Sequence, residues 1–386
     1  MPLANALRTR EQLHDPEATY PLELAFCCKC ALVQITETVP PEKLFREYLY
    51  FSSFSDTLLR HAEDLVTRLI ETRRLNASHM VVELASNDGY LLQYYQRRAI
   101  PVLGVEPARN IAGVARDRGI RTVSEFFDDD LACKLKCEYG QADVIHANNV
   151  LAHVADLNGF VRGIGVLLKP QGVAVVEVPY VKDLIDHVEF DTIYHEHLCY
   201  FSLTALAALF GRHGLEVQNI ECVPIHGGSL RLFIGQAGSR TPTESVLDLL
   251  RRENDQGIGR VVFYADFGRR VRNLKASLRD LLVQLKQQRK RVAAYGAAAK
   301  GTTLLNYFEI GPELIDFVVD RSKYKQGLYT PGTHLPIFSP DKLMREKPDY
   351  VLLLAWNFAN EILEQQSVFR QQGGRFIIPI PELRVL

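Results

Sequence analysis

The stretch Val81-Val82-Glu83-Leu84-Ala85-Ser86-Asn87-Asp88-Gly89-Tyr90-Leu91-Leu92 constrains this chain more than any other. Two β-branched residues run into an acid, small residues follow, and an apolar run of helical character comes next. That order predicts a strand, a tight turn and a helix N-terminus, the element that opens nucleotide-binding α/β domains. The spacing is that of an acid followed by three glycine-like positions, here Ala85, Asn87 and Gly89, with Ser86 between the first two. Asn tolerates the left-handed backbone that Gly usually supplies, so the turn stays accessible with one true glycine.

Pro101–Pro107 reads as a second buried strand ending in Glu106, roughly 20 residues past the turn, where an acid accepts hydrogen bonds from ribose hydroxyls. The pattern calls for a nucleoside cofactor. NAD and S-adenosylmethionine both fit it, and an ordinary βαβ unit that binds nothing is the bland alternative. Amphipathic helices are expected at about residues 56–73 and 108–119. Residues 123–127 end a third strand, where Phe127 would cover an adenine face. Residues 142–153 form a fourth strand that empties into Asn148, Asn149 and His153 at the cofactor crevice. Val173 to Val178 is a fifth, after the turn Lys169-Pro170-Gln171-Gly172. Five strands alternating with helices predict a doubly wound sheet.

A charged helical stretch at roughly 246–288 should bridge to a second unit. There Arg291–Gly301 repeats the strand–turn–helix pattern, and Phe317-Val318-Val319-Asp320 again ends in an acid. Alone this could be an NAD site. Lys300 at the helix start and Lys323-Tyr324-Lys325 after the acid favour a pyrophosphate instead. Residues 351–357 and 376–379 supply further strands.

The densest chemistry is Asp191-Thr192-Ile193-Tyr194-His195-Glu196-His197. On an extended segment Tyr194 and Glu196 would share one side, His195 and His197 the other. His197 suits a general base near neutral pH, and Tyr194 suits donation to a developing oxyanion. A metal reading would need a third ligand. His226-Gly227-Gly228-Ser229-Leu230-Arg231 offers hydroxyl and guanidinium donors for phosphate or sugar, or else a plain hairpin turn. Cys27 and Cys30 form one C-x-x-C, half of a structural zinc site.

Composition excludes more than it selects. A formal net charge of −1 over 386 residues gives none of the basic excess of nucleic-acid binders. No apolar run has the length of a membrane span, and the first residues lack a signal-peptide core. Seven cysteines, an odd number spread from Cys27 to Cys222, point to free thiols and a reducing cytoplasm. Nothing fixes the oligomeric state beyond a monomer or small homo-oligomer.

Together the segments C-x-x-C-x-L-V-Q, Y-x-Y-F-S-S-x-S, V-E-x-A-S-N-D-G-Y-L-L, N-N-V-L-A-H-V-x-D, D-T-I-Y-H-E-H and H-G-G-S-L-R resemble those of the sugar C-methyltransferases, over nearly the whole chain. The resemblance implies S-adenosylmethionine rather than NAD, and a nucleotide-linked 4-ketosugar as substrate, dTDP-linked and methylated at C3. It implies a zinc-binding-type module at 1–50, a Rossmann-like methyltransferase domain at 51–240, a helical bridge at 241–290 and a Rossmann-like nucleotide-sugar domain at 291–386. Active-site groups would be Tyr48, His153, Tyr194, Glu196 and His197, with Glu196 holding the imidazole tautomer. The methyl-donor pocket would include Glu83, Ala85, Ser86, Asn87, Gly89, Glu106, Phe127, Asn148 and Asn149. His226, Ser229, Arg231, Tyr295, Lys300, Tyr324 and Lys325 would meet the nucleotide sugar. Only the second of the family's two C-x-x-C pairs is present, so Cys27 and Cys30 leave a zinc site incomplete.

Overall fold

The structure, a computed structural model, describes residues 1–46, 51–225 and 227–386; Tyr48 and His226 lie outside the described residues. Its organising element is a seven-stranded sheet in the order β5-β4-β3-β6-β7-β10-β9. Near the N-terminus lie β1 (Leu24–Phe26) and β2 (Val33–Ile35), which belong to a separate small sheet. The large sheet is built from β3 (Val81–Leu84), β4 (Val102–Val105), β5 (Thr122–Val123), β6 (Ala142–Asn148) and β7 (Leu168–Pro179). These five strands run parallel. β3 is buried at all four positions, as a parallel strand covered on both faces must be, which is why it reads as an apolar run instead of an alternation. The segment Lys169–Gly172 falls inside β7, where the register against β6 shifts between Ala142 and Val144.

The helix Asp56–Arg73 shows how sequence sets the layers. Ser55 caps it by accepting from the Leu58 N–H, and Leu58, Ala62, Leu65, Val66 and Leu69 form one buried stripe. That stripe packs with Val81, Val144, Val173 and Val175 of the sheet.

Past the parallel strands the chain places β8 (Cys199–Tyr200) against β2, pairing Val33 with Tyr200 and Gln34 with Cys199. It then adds the hairpin β9 (Leu215–Val223) and β10 (Ser229–Gln236), which extends the large sheet antiparallel to β7. The expected single helical bridge is two helices, Glu244–Gln256 and Phe267–Gln287. Gly257, at φ 76°, ends the first with a left-handed cap. The break follows from allegiance: Val246 packs in the first core, while Val271, Leu278, Leu282 and Leu285 pack in the second.

The second sheet has six strands, with β11 (Val292–Tyr295), β12 (Val318–Val319), β13 (Ile337–Phe338), β14 (Tyr350–Leu353), β15 (Arg375–Ile378) and β16 (Arg384–Val385). Their order is β13-β12-β11-β14-β15-β16. The molecule is therefore mixed α/β with two sheets of predominantly parallel strands. Val188 and Phe190, from the segment after β7, are buried in the core of the second sheet, so the two layers share structure at that point. Among the described residues no helix is long and apolar enough to cross a membrane.

Candidate functional site

The turn after β3 takes a left-handed backbone at each of its three glycine-like positions: Ala85 at φ 54°, Asn87 at 49° and Gly89 at 79°. At Gly89 the requirement is also steric, since a Cβ there would lie 2.2 Å from Ile120 Cδ1. Glu106, at the end of β4, pins the turn. One carboxyl oxygen accepts from the Asn87 N–H at 2.9 Å and the other from the Ala108 N–H at 2.8 Å. Ser52 and Ser53 dock on the same turn, Ser52 N–H donating to Asn87 Oδ1 and the Ser53 hydroxyl to Asp88.

Glu83 Oε2, Ser86 Oγ, Asn148 Oδ1 and Asn149 Oδ1 are buried without a hydrogen-bond partner among the described residues, all at the carboxyl ends of β3 and β6. Burial first, then Asp88 and Glu106, push the Glu83 carboxyl well above the usual range. Burial likewise pushes Glu106 up to about 7, against the pull of its two backbone donors. Unmet oxygens beside crowded carboxyls suit a ligand that brings hydroxyl and amine donors rather than further acceptors. These residues thus fit a sulfonium nucleoside better than a dinucleotide. Phe127 stands edge-on to Phe160 at 5.3 Å, against the helix Leu157–Leu167.

Tyr194–His197 is a turn, not the extended run that alternation required: the His197 N–H donates to the Tyr194 carbonyl at 2.8 Å. The turn brings Tyr194 and His197 to one side, ring centroids 4.1 Å apart and Tyr194 Oη 2.9 Å from His197 Nε2. His197 Nδ1 donates to the Thr192 carbonyl at 2.8 Å, so in the neutral ring the Nε2 lone pair faces the phenol. Thr192, not Glu196, therefore sets the tautomer. Glu196 Oε1 instead accepts from the Asn5 side-chain amide at 2.7 Å. His195 points away, toward the Pro21 carbonyl.

His153, just past β6, donates from Nδ1 to the Glu196 carbonyl at 2.7 Å and meets the His197 ring edge-on at 4.8 Å. Burial holds its pKa down at about 4, so it is a neutral imidazole at physiological pH. The Leu198 N–H donates to the Ala152 carbonyl at 2.7 Å, tying the base turn to the chain leaving β6. Phenol and imidazoles are thus tied to the carboxyl end of β6, the strand end that carries the unmet groups of Asn148 and Asn149.

The second sheet repeats the pinning geometry. Asp320 accepts from the Ala297 N–H at 2.8 Å and the Ser322 N–H at 2.7 Å, as Glu106 does for its own turn. Here the companions are cations. Lys325 Nζ donates to the Ala297 carbonyl at 2.8 Å. Lys300, in the first turn of the helix Ala299–Phe308, has its Nζ buried without a hydrogen-bond partner among the described residues, 4.4 Å from the Trp356 ring centroid. Tyr295 ends β11 at the same edge. Tyr324 is exposed and stacks at 5.1 Å on Phe51 of the first unit.

Arg231 takes no part in such a site. It is buried in β10, donating to Glu177 at 2.5 Å and Glu221 at 3.1 Å, with His61 Nε2 2.8 Å from its Nη2. The Ser229 hydroxyl donates to the Ile225 carbonyl at 3.0 Å and closes the β9–β10 hairpin. Cys27 and Cys30 are free thiols, and among the described residues no three or more His, Cys, Asp or Glu side chains gather to hold a metal. Two thiols fall short of the four ligands of a closed zinc site. Sequence reasoning missed Thr192, whose role is played by its backbone, and Asp191 and Trp356, whose 2.7 Å hydrogen bond spans 165 positions.

Family models match residues 224–381 as a C-methyltransferase C-terminal domain, 54–220 as a methyltransferase domain, and 1–45 as a proposed zinc-binding domain. The C-methyltransferase NovU of Streptomyces niveus is 37% identical over all 386 residues, covering 92% of that protein. Among solved structures, the PH0226 protein of Pyrococcus horikoshii OT3 is 15% identical, with a TM-score of 0.40, over 52% of this chain and 100% of its own. Magnesium protoporphyrin IX methyltransferase of Synechocystis PCC 6803, solved with bound S-adenosylmethionine, is 11% identical, with a TM-score of 0.36, over 46% of this chain and 79% of its own.

Proposed function

Because this chain belongs to the C-methyltransferase family, we propose that it methylates C3 of a nucleotide-linked 4-keto-deoxysugar, with dTDP as the nucleotide and S-adenosylmethionine as donor. A sugar C–H is not acidic unless a carbonyl adjoins it, so the enzyme must remove a proton beside the ketone and hold the enolate oxygen. The observation that carries the reading is the Tyr194–His197 pair, with the His197 tautomer set by Thr192.

In this reading His197 takes the C3 proton, directly or through the Tyr194 hydroxyl, Tyr194 donates toward the enolate oxygen, and Tyr48 orients or shares the proton. His153, neutral at physiological pH, lines the path between sugar and donor. When bound, S-adenosylmethionine would supply an electrophilic methyl group that passes to the enolate carbon as its C–S bond breaks, leaving S-adenosylhomocysteine. Glu83, Asn148 and Asn149 offer it acceptors, and Glu106 can take ribose hydroxyls on its remaining lone pairs. Lys300 and the N-terminus of the helix Ala299–Phe308 receive the diphosphate, with Tyr324, Tyr295 and Lys325 around the nucleotide. The division into an N-terminal module (1–50), methyltransferase domain (51–240), bridge (241–290) and nucleotide-sugar domain (291–386) belongs to the same proposal. So does a cytoplasmic location, in keeping with seven free cysteines.

The rival, a nicotinamide-dependent ketosugar reductase built on residues 291–386, draws on the Gly296 turn and Asp320. The cationic surroundings of that turn speak for a diphosphate terminus instead. The deciding experiment incubates the protein with dTDP-4-keto-deoxysugars in deuterated water. His197→Ala should lose both C3 exchange and methyl transfer by about 10²-fold or more. Exchange and turnover at the unmodified rate would remove His197 from its role. A thermal shift with NADPH but none with S-adenosylhomocysteine would favour the reductase.

A further inference from the structure

The turn that sets the His197 tautomer is held from the other domain. Phe190 stacks on Phe308 at 4.6 Å, and the Thr303 hydroxyl donates to the Ile193 carbonyl at 3.4 Å, both from the helix that begins at Ala299. Between these two contacts Asp191 is fully buried. Its Oδ2 accepts from the Trp356 indole N–H at 2.7 Å, and its Oδ1 has no partner among the described residues. Lys300 covers the face of the same indole, its ammonium buried with three N–H groups and no acceptor within reach among the described residues. The next residue, Thr192, supplies the carbonyl that fixes the base.

We infer that Asp191 is a positioning residue that, through Trp356 and Lys300, makes the setting of His197 depend on a diphosphate bound at the start of the helix Ala299–Phe308. The inference rests on the proposed function for its ligand. An ammonium with no hydrogen-bond acceptor is held by the indole face and by charge, here from Asp191 and Glu189. Phosphate oxygens arriving at the helix terminus would give Lys300 the acceptors it lacks and draw it off the indole face. Asp191 then loses its countercharge while keeping the indole N–H, and the turn shifts by one peptide to the carbonyl that holds the imidazole. The groups facing Asp191 are Lys300 and Trp356 from the second domain and Glu189 from its own segment, with His187 beside Glu189 at 3.4 Å. Burial pushes the Asp191 carboxyl up to about 7, so its charge is poised to respond to Lys300.

Trp356 is the single tryptophan of the chain, so its emission reports this junction alone. Titration of the full-length protein with dTDP, and separately with inorganic pyrophosphate, should change the emission saturably, and Lys300→Gln should abolish the change. Asp191→Asn keeps an acceptor for the indole but removes the charge. It should lower kcat about tenfold, leave the KM of the methyl donor within about twofold, and move the pH profile of kcat. Trp356→Phe provides the same kinetic comparison should Asp191→Asn fail to fold. Two results overturn the coupling: saturating dTDP that leaves the emission unchanged, or variants with the parent kcat and pH profile. If the parent methylates no ketosugar, the proposed function fails, and the emission titration still decides whether the junction senses a diphosphate.

Discussion

At the scale of the residue, the unit of chemistry is a phenol facing an imidazole nitrogen. Tyr194→Phe keeps the ring stack at 4.1 Å and removes only the hydroxyl. Its kcat should fall about 10²-fold with little change in the KM of the methyl donor, checked by steady-state kinetics. Glu196→Gln keeps an oxygen for the Asn5 amide and should cost far less, about tenfold or under. Equal losses for the two would return Glu196 to the centre of the chemistry. The identities of these residues could be read from the chain because a tyrosine, two histidines and a glutamate in four positions are unusual. Their wiring could not. The tautomer is set by a peptide carbonyl, which no side chain announces. Arg231 looked available because its partners, Glu177 and Glu221, meet it only once β7, β9 and β10 lie side by side.

The element that matters most is the turn after β3. Local chemistry made it legible: an acid-ended strand, small residues at fixed offsets, and Asn87 where a left-handed backbone was needed. Ala85 at φ 54° is the one position where sequence and backbone disagree, held by the register of β3 against β4 and β6. Gly89→Ala would add a Cβ clashing with Ile120 to a left-handed backbone, and should destabilise the fold by about 2–4 kcal/mol in chemical denaturation. Glu106 gives the turn a pH dependence. Its folded pKa is raised to about 7, so its contribution to stability is greatest below the unfolded value and is lost as pH rises through 7. A ligand that prefers the ionised carboxyl should therefore bind more tightly as pH climbs from about 5 to 7. Calorimetry with S-adenosylhomocysteine should show proton release in that window, and Glu106→Gln should lose it. The helical bridge was less legible. Its charge pattern ran on through Gly257, and only the competing pull of two cores explains the break.

For the whole molecule, the alternation of strands and helices and a candidate hairpin turn before Leu230 were legible from pattern alone; the hairpin's pairing with β7, which widens the first sheet, and the sharing of Val188 and Phe190 with the second core were not. Both depend on contacts far apart in the chain. A buried histidine in the sheet makes this assembly sensitive to acid. His146 is fully buried with Nε2 2.9 Å from the Tyr95 hydroxyl, and burial lowers its pKa to about 3. A depressed histidine contributes stability above its unfolded pKa that is lost as pH falls, so lowering pH from 7 to 5 should cost about 2 kcal/mol from this group. Denaturant midpoints of the parent and His146→Gln should converge by that amount over the same interval. Buried acids such as Glu106 act in the opposite sense and affect both proteins alike.

The pairing of β2 with β8, directly after His197, has a kinetic corollary. The eleven residues from Phe190 to Tyr200 are clasped by Asn5, Pro21 and Val33 on one flank and by Thr303, Phe308 and Trp356 on the other. Stretches from near both ends of the polypeptide must arrive before that short span acquires its final shape. Such distant closures come late on a folding route. During renaturation, competence for catalysis should lag behind the return of circular dichroism, because the reactive centre is the last place where the chain agrees with itself.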